Sequence, residues 1–78
     1  EAINTFIIVW KDERIRNIVI DNGLNFKYVS LREISMYGKT RSVFFSNENG
    51  DKYIKIYLRE DLSGNLVIED ELRGGLDL

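Results

Sequence analysis

The sequence predicts an all-β fold: a small antiparallel barrel, roll or tight sandwich of about six strands built from β-hairpins. Three observations carry that expectation. Two Asn-Gly pairs, Asn22-Gly23 and Asn49-Gly50, each stand between runs rich in Ile, Val, Phe and Tyr, and both residues of such a pair tolerate the positive φ of a type I′ hairpin turn. The apolar residues come in consecutive β-branched runs, Phe6-Ile7-Ile8-Val9-Trp10 and Ile18-Val19-Ile20, which strands accept more readily than helices. At 78 residues the chain has enough material for one hydrophobic core, so residues 1–78 form a single small domain.

In chain order, Ile3 to Trp10 reads as the first strand, joined to the next through Lys11-Asp12-Glu13. Asn22-Gly23 then turns a hairpin over 14–21 and 24–31. A competing reading makes Asp12 to Asn22 a short helix, capped by Asp12 and ended by Gly23, because Ile15, Ile18 and Val19 share a helical face; the β-branched run disfavours it. Residues 31–37 allow either a short helical turn or a continued strand. Asn49-Gly50 turns a second hairpin over 41–46 and 51–59, and Ser63-Gly64-Asn65 a further one into Leu66-Val67-Ile68. Residues 69–78 then form an acidic, glycine-containing C-terminal tail. The two hairpins also resemble each other: placing Gly23 on Gly50 aligns Phe26 with Tyr53, Val29 with Ile56 and Leu31-Arg32-Glu33 with Leu58-Arg59-Glu60, as a duplicated unit would. Because the chain starts at Glu1 rather than Met, it reads as a fragment or processed product of a longer one.

Composition narrows the chemistry. With no Cys and no His there is no thiolate nucleophile, no His-based relay and no zinc, haem or iron–sulfur ligand set of the usual kind. The expectation is no enzyme, no cofactor and no metal. Five consecutive apolar residues are too few to span a bilayer, so no membrane partner is expected and the chain reads as soluble, with an intracellular location as the working assumption. The net charge of −2 is uneven: from Glu60 onward six acids face one base, a balance of −5, whereas residues 1–59 hold ten bases and seven acids, a balance of +3.

Strand alternation defines two faces. Ile54, Ile56 and Leu58 lie on one side and pair with Val43 and Phe45, a core. The other side carries Phe44, Tyr53, Lys55, Tyr57 and Arg59 with Thr40, Ser42 and Ser46. Rings for stacking interleaved with cations for phosphate are what a single-stranded nucleic-acid platform needs, so these five residues form the candidate binding face. An ordinary solvent-facing sheet uses the same residues, and Glu69 and Glu71 are placed to neutralise Arg59 or Lys55. Phe6, Trp10, Ile15, Val19, Phe26 and Tyr28 form the candidate interface, because the first strands are apolar on both sides and strands of that kind are covered on both sides.

Several short motifs carry less. Leu72-Arg73-Gly74-Gly75 resembles the tail of ubiquitin-like modifiers over four residues, and a frayed end accounts for it better. Asp61, Ser63 and Asn65 have calcium-loop spacing, but Leu66 and Leu72 replace the required Gly and Glu. Gly38-Lys39-Thr40 lacks the rest of a P-loop. The succession Tyr28 to Ile34, the strand Val43–Phe45, Asn-Gly and Tyr53 to Ile56 slightly resembles the opening of LytTR-type DNA-binding domains, and equally bacterial pleckstrin-homology-like domains; acidic residues replace the basic recognition segment of the former, and no residue role transfers. The functional expectation is a non-catalytic protein-interaction or oligomerisation module, a homo-oligomer or a docking domain within a larger assembly. Its alternative is a single-stranded nucleic-acid-binding β domain.

Overall fold

Two short helices precede four strands. The computed structural model describes residues 2–35 and 38–76, in the order α1 (Ala2–Trp10), α2 (Glu13–Asp21), β1 (Asn25–Ser35), β2 (Gly38–Ser46), β3 (Tyr53–Glu60) and β4 (Leu66–Gly74). The strands form one antiparallel sheet in the order β1-β2-β3-β4. This overturns the six-stranded all-β barrel, roll or sandwich: the sheet is open, and the first two expected strands are helices. It also removes the duplicated hairpin, since the residues before Asn22-Gly23 form a helix whereas those before Asn49-Gly50 form a strand.

α1 forms from a segment that is apolar at nearly every position, so it satisfies helical and strand periodicity alike. What selects the helix is packing. Thr5 and Val9, one turn apart, are buried against the sheet, and Phe6 stacks on Trp10 at a centroid separation of 5.8 Å, the contact expected of residues four apart. α2 has sharper local signals. The Asp12 carboxylate accepts the backbone N–H of Ile15 at 3.1 Å, an N-cap. At the other end Gly23 N–H donates to Ile20 O at 3.2 Å and Leu24 N–H to Val19 O at 2.9 Å, the two bonds of a Schellman motif with Gly23 at φ +62°. Leu24 and Val19, both buried, supply its accompanying apolar contact. Asn22-Gly23 is therefore a helix stop and not a hairpin turn.

Asn49-Gly50 does lie in a hairpin. Asn47 N–H donates to Lys52 O at 3.0 Å, Gly50 N–H to Asn47 O at 3.2 Å, and the register beyond is Ser46↔Tyr53, Phe45↔Ile54, Val43↔Ile56. The Ser63-Gly64-Asn65 turn also forms, with the Asp61 carboxylate accepting the N–H groups of Ser63 and Asn65 at 2.9 Å each. Glu69 to Gly74 make up the second half of β4. Gly74 lies beneath the Tyr53 ring, so close that a Cβ there would stand 2.6 Å from it; a packed strand end, not fraying, accounts for these glycines. β1 occupies the residues up to Ser35 where a helical turn was an option, and Met36 and Tyr37 lie outside the described residues.

The helices cover one face only. Val43, Phe45, Ile54, Ile56 and Leu58 point into them and meet Val9, Ile15, Ile18, Val19 and Leu24, each apolar side chain contributing about 1.5–3 kcal/mol on burial. Arg14 on α2 pairs with Glu71 on β4 at the rim, and its pKa is raised by that hydrogen bond, burial opposing and the Glu71 charge adding.

Candidate functional site

Among the described residues, no element covers the reverse face of the sheet. Because β2 and β3 alternate without interruption, Ser42, Phe44, Ser46, Tyr53, Lys55 and Tyr57 all point there, as the sequence predicts. β1 joins them after a register shift between Phe26 and Tyr28. That bulge turns Tyr28 to the open face, where it stacks on Phe44 at 5.2 Å and 24°, while Phe26 meets Phe6 edge-on at 5.1 Å on the helix side. Phe44 in turn lies 6.2 Å from Tyr53. Three rings thus run side by side across β1, β2 and β3.

The charges beside these rings are already spoken for. Lys55 pairs with Glu33 of β1, and the Ser42 hydroxyl donates to the other Glu33 oxygen at 3.1 Å. Side chains of Lys55 and Glu33 are only 15% and 21% exposed. The Lys55 ammonium also lies 5.5 Å from the Tyr57 ring centroid and 5.9 Å from that of Tyr28, within cation–π range. The hydrogen bond from Lys55 holds Glu33 below the usual carboxylate pKa, against the opposing effect of burial and with help from Ser42. For Lys55, burial works to lower the pKa, but the Glu33 hydrogen bond and charge outweigh it and the net shift is upward. Arg59 pairs with Glu69 at 2.6 Å.

The two carboxylates expected to share this face are separated. A bulge in β4, where Tyr57 faces Asp70 but Leu58 faces Ile68, makes Glu69 the extra residue; it turns to Arg59 on the open side, and Glu71 turns to Arg14 on the helix side. Glu33, the partner Lys55 takes instead, comes from β1, two strands away from β3. Local spacing carries no trace of that pairing.

The candidate interface residues fall in three places. Ile15 and Val19 lie in the core, because α2 and not a strand carries them. Phe6, Trp10 and Phe26 form a ring cluster with Phe45, with centroids 6.0–6.1 Å from its ring, and Tyr28 lies on the opposite face. Ile3, Ile7, Leu31 and Ile34, outside the candidate interface, are exposed large apolar residues. With Phe26 they make the α1 and β1 side of the domain apolar. An open groove of about 290 Å³ lies there, lined by Ala2, Ile3, Phe6, Phe26 and Val29. Ala2–Trp10 contains no charged residue.

A second groove, about 420 Å³ and open, is lined by Leu31, Arg32, Thr40, Arg41, Leu58, Arg59, Glu60 and Leu66. Arg41 donates from it to Thr5 at 3.3 Å. Among the described residues there is no group of three or more acids placed to hold a metal ion, and no helix is long and apolar enough to cross a membrane. Comparison with family models, with curated proteins and with solved structures finds no match.

Proposed function

We propose that this domain is a non-catalytic protein-interaction or oligomerisation module of a larger protein or assembly. The observation that supports this reading is the condition of the uncovered sheet face. Its rings, Tyr28, Phe44, Tyr53 and Tyr57, are partly open, while its cations already hold carboxylates, Lys55 with Glu33 and Arg59 with Glu69. A phosphate backbone would have to displace those partners, whereas a protein surface asks for apolar area, aromatic rings and a satisfied polar rim. The apolar side formed by α1 and β1 points the same way.

The nucleic-acid reading keeps one observation in its favour: Phe44, Tyr53, Lys55 and Tyr57 do share a face. Two measurements separate the readings. Titration with single-stranded oligonucleotides at low salt is expected to leave the amides of Phe44, Tyr53, Lys55 and Tyr57 unmoved; shifts that fade steeply with added salt would favour nucleic acid. A photo-crosslinking residue at Phe26 or Tyr57, introduced in the full-length protein in its own cells, is expected to capture protein chains. No adduct above that of a control at Glu48 in the hairpin loop would overturn the module.

A further inference from the structure

We infer that Asn49 is a site of spontaneous covalent conversion, cyclising with the main-chain nitrogen of Gly50 and opening to aspartate and isoaspartate, whereas the fold protects the other Asn-Gly pair, Asn22-Gly23. The inference goes beyond the module reading and stands or falls separately from it.

The chemistry needs an asparagine amide, a following main-chain nitrogen with no side chain to hinder it, and freedom to bring the two together. The Gly50 nitrogen gives up its proton to water and bonds to Asn49 Cγ, and the side-chain nitrogen leaves as ammonia. A five-membered succinimide results. Water then adds at either ring carbonyl: breaking the bond from nitrogen to Cγ gives aspartate, and breaking the bond to the main-chain carbonyl carbon gives isoaspartate, with the chain rerouted through Cβ and Cγ. One water is consumed, one ammonia is released, and nothing is oxidised or reduced. Either product turns a neutral amide into a carboxylate, taking the net charge of −2 one unit further down, at a loop that already carries Glu48 and Asp51.

Asn4, Asn17, Asn25, Asn47 and Asn65 all precede residues with side chains, so the two Asn-Gly pairs are the candidates. The structure separates them by freedom of movement. Asn22 closes α2: its Nδ2 donates to Ile18 O at 3.0 Å, and its main-chain N–H donates to the same oxygen at 3.1 Å. Gly23 N–H, the group that would have to attack, donates to Ile20 O at 3.2 Å, and Leu24 N–H donates to Val19 O at 2.9 Å. Cyclisation there must unwind the last turn of α2 and disturb Leu24 in the core.

Asn49 is exposed in the loop between β2 and β3, and among the described residues no hydrogen bond holds its side chain. Gly50 N–H donates to Asn47 O at 3.2 Å, and a Cβ built on Gly50 would meet nothing within 4 Å. Breaking that exposed bond frees the nucleophile. Below it the loop is closed independently, Asn47 N–H donating to Lys52 O at 3.0 Å and Lys52 N–H to Asn47 Oδ1 at 3.2 Å, so the ring can form while β2 and β3 stay in register. Opening a loop tip costs less than unwinding an element end that carries core contacts.

The test holds the purified chain for days in mildly alkaline buffer, native in one arm and unfolded in guanidinium chloride in the other, and then cuts after Lys and Arg. Cleavage places Asn49 in 42–52 and Asn22 in 17–27. From the native chain, 42–52 is expected to gain about one dalton and to separate into aspartate and isoaspartate forms. Peptide 17–27 is expected to convert at least about tenfold more slowly, equivalent to ~1.4 kcal/mol of additional opening. In the unfolded arm the two peptides are expected to convert at similar rates, because the dipeptide alone then governs. N49Q is expected to abolish the change in 42–52. A native chain whose 42–52 stays unmodified, or whose 17–27 converts as fast, overturns the inference. So does an unfolded chain that keeps the native difference, or a conversion of 42–52 that persists in N49Q and therefore belongs to Asn47.

Discussion

Lys55 on β3 reaches across β2 to Glu33 on β1, and the Ser42 hydroxyl on the intervening strand donates to the same carboxylate. Three strands are thereby tied on the face that no helix covers. The tie also neutralises the cation at the centre of the aromatic stripe.

That pair gives a pH dependence with a defined sign. Glu33 has a lowered pKa in the folded state, so its contribution is present above the ordinary carboxylate range and is lost as pH falls through the lowered value. Lys55 has a raised pKa, so its contribution is present below the ordinary amine range and is lost as pH rises through the raised value. Urea unfolding of E33Q is expected to show a flatter acid limb than the parent. K55M strands a desolvated carboxylate and is expected to cost about 1–3 kcal/mol at pH 7, most of it recovered in K55M/E33L. An additive double variant would show that the pair is not coupled.

Alternate residues of β3 are expected to respond very differently to truncation. Ile56→Ala opens a cavity in the core and costs about 2–5 kcal/mol, while Tyr57→Ala on the uncovered face costs about 1 kcal/mol. Equal losses in chemical denaturation would contradict the observed alternation.

Tyr53 and Gly74 are cross-strand partners, and the ring occupies the space a side chain at Gly74 would need. Gly74→Ala is expected to displace the ring and cost about 1 kcal/mol. The penalty should shrink when Tyr53→Ala is made first, a coupling that a double-mutant cycle reads directly.

Each end of α2 carries a capping residue that can be tested by itself, Asp12 at the start and Gly23 beyond the Asn22 cap at the end. Asp12→Ala removes the cap to Ile15 N–H and is expected to cost about 1 kcal/mol. Gly23→Ala places a Cβ at φ +62° with nothing within 4 Å of it, so its cost of about 1–2 kcal/mol is purely conformational. Thermal melts of the two variants separately and together should add, since the ends share no partner.

Read without coordinates, the chain already specified the second hairpin and its two faces. Val43, Phe45, Ile54, Ile56 and Leu58 point inward and Phe44, Tyr53, Lys55 and Tyr57 point away, because period-two alternation between well-marked turns leaves a single parity. It was equivocal on the first third. Asn-Gly occurs twice with the same use of a positive φ, +62° at Gly23 and +77° at Gly50, yet one stops a helix and the other shapes a hairpin loop; the dipeptide records the backbone angle and not the element before it. Asp12 and Gly23 did mark the α2 ends, but the weight given to β-branched Ile18-Val19-Ile20 masked them. For Phe6 to Trp10, apolar throughout, no local signal could choose. The assembled sheet chose, by presenting an apolar face about two helices wide whose burial outweighs the few tenths of a kcal/mol per residue by which β-branched side chains disfavour a helix. Likewise the bulges at Lys27 and Glu69 decided which side Tyr28 and Glu69 face, and the partner of Lys55 came from a strand that lies beside β3 only once β2 has been laid between them.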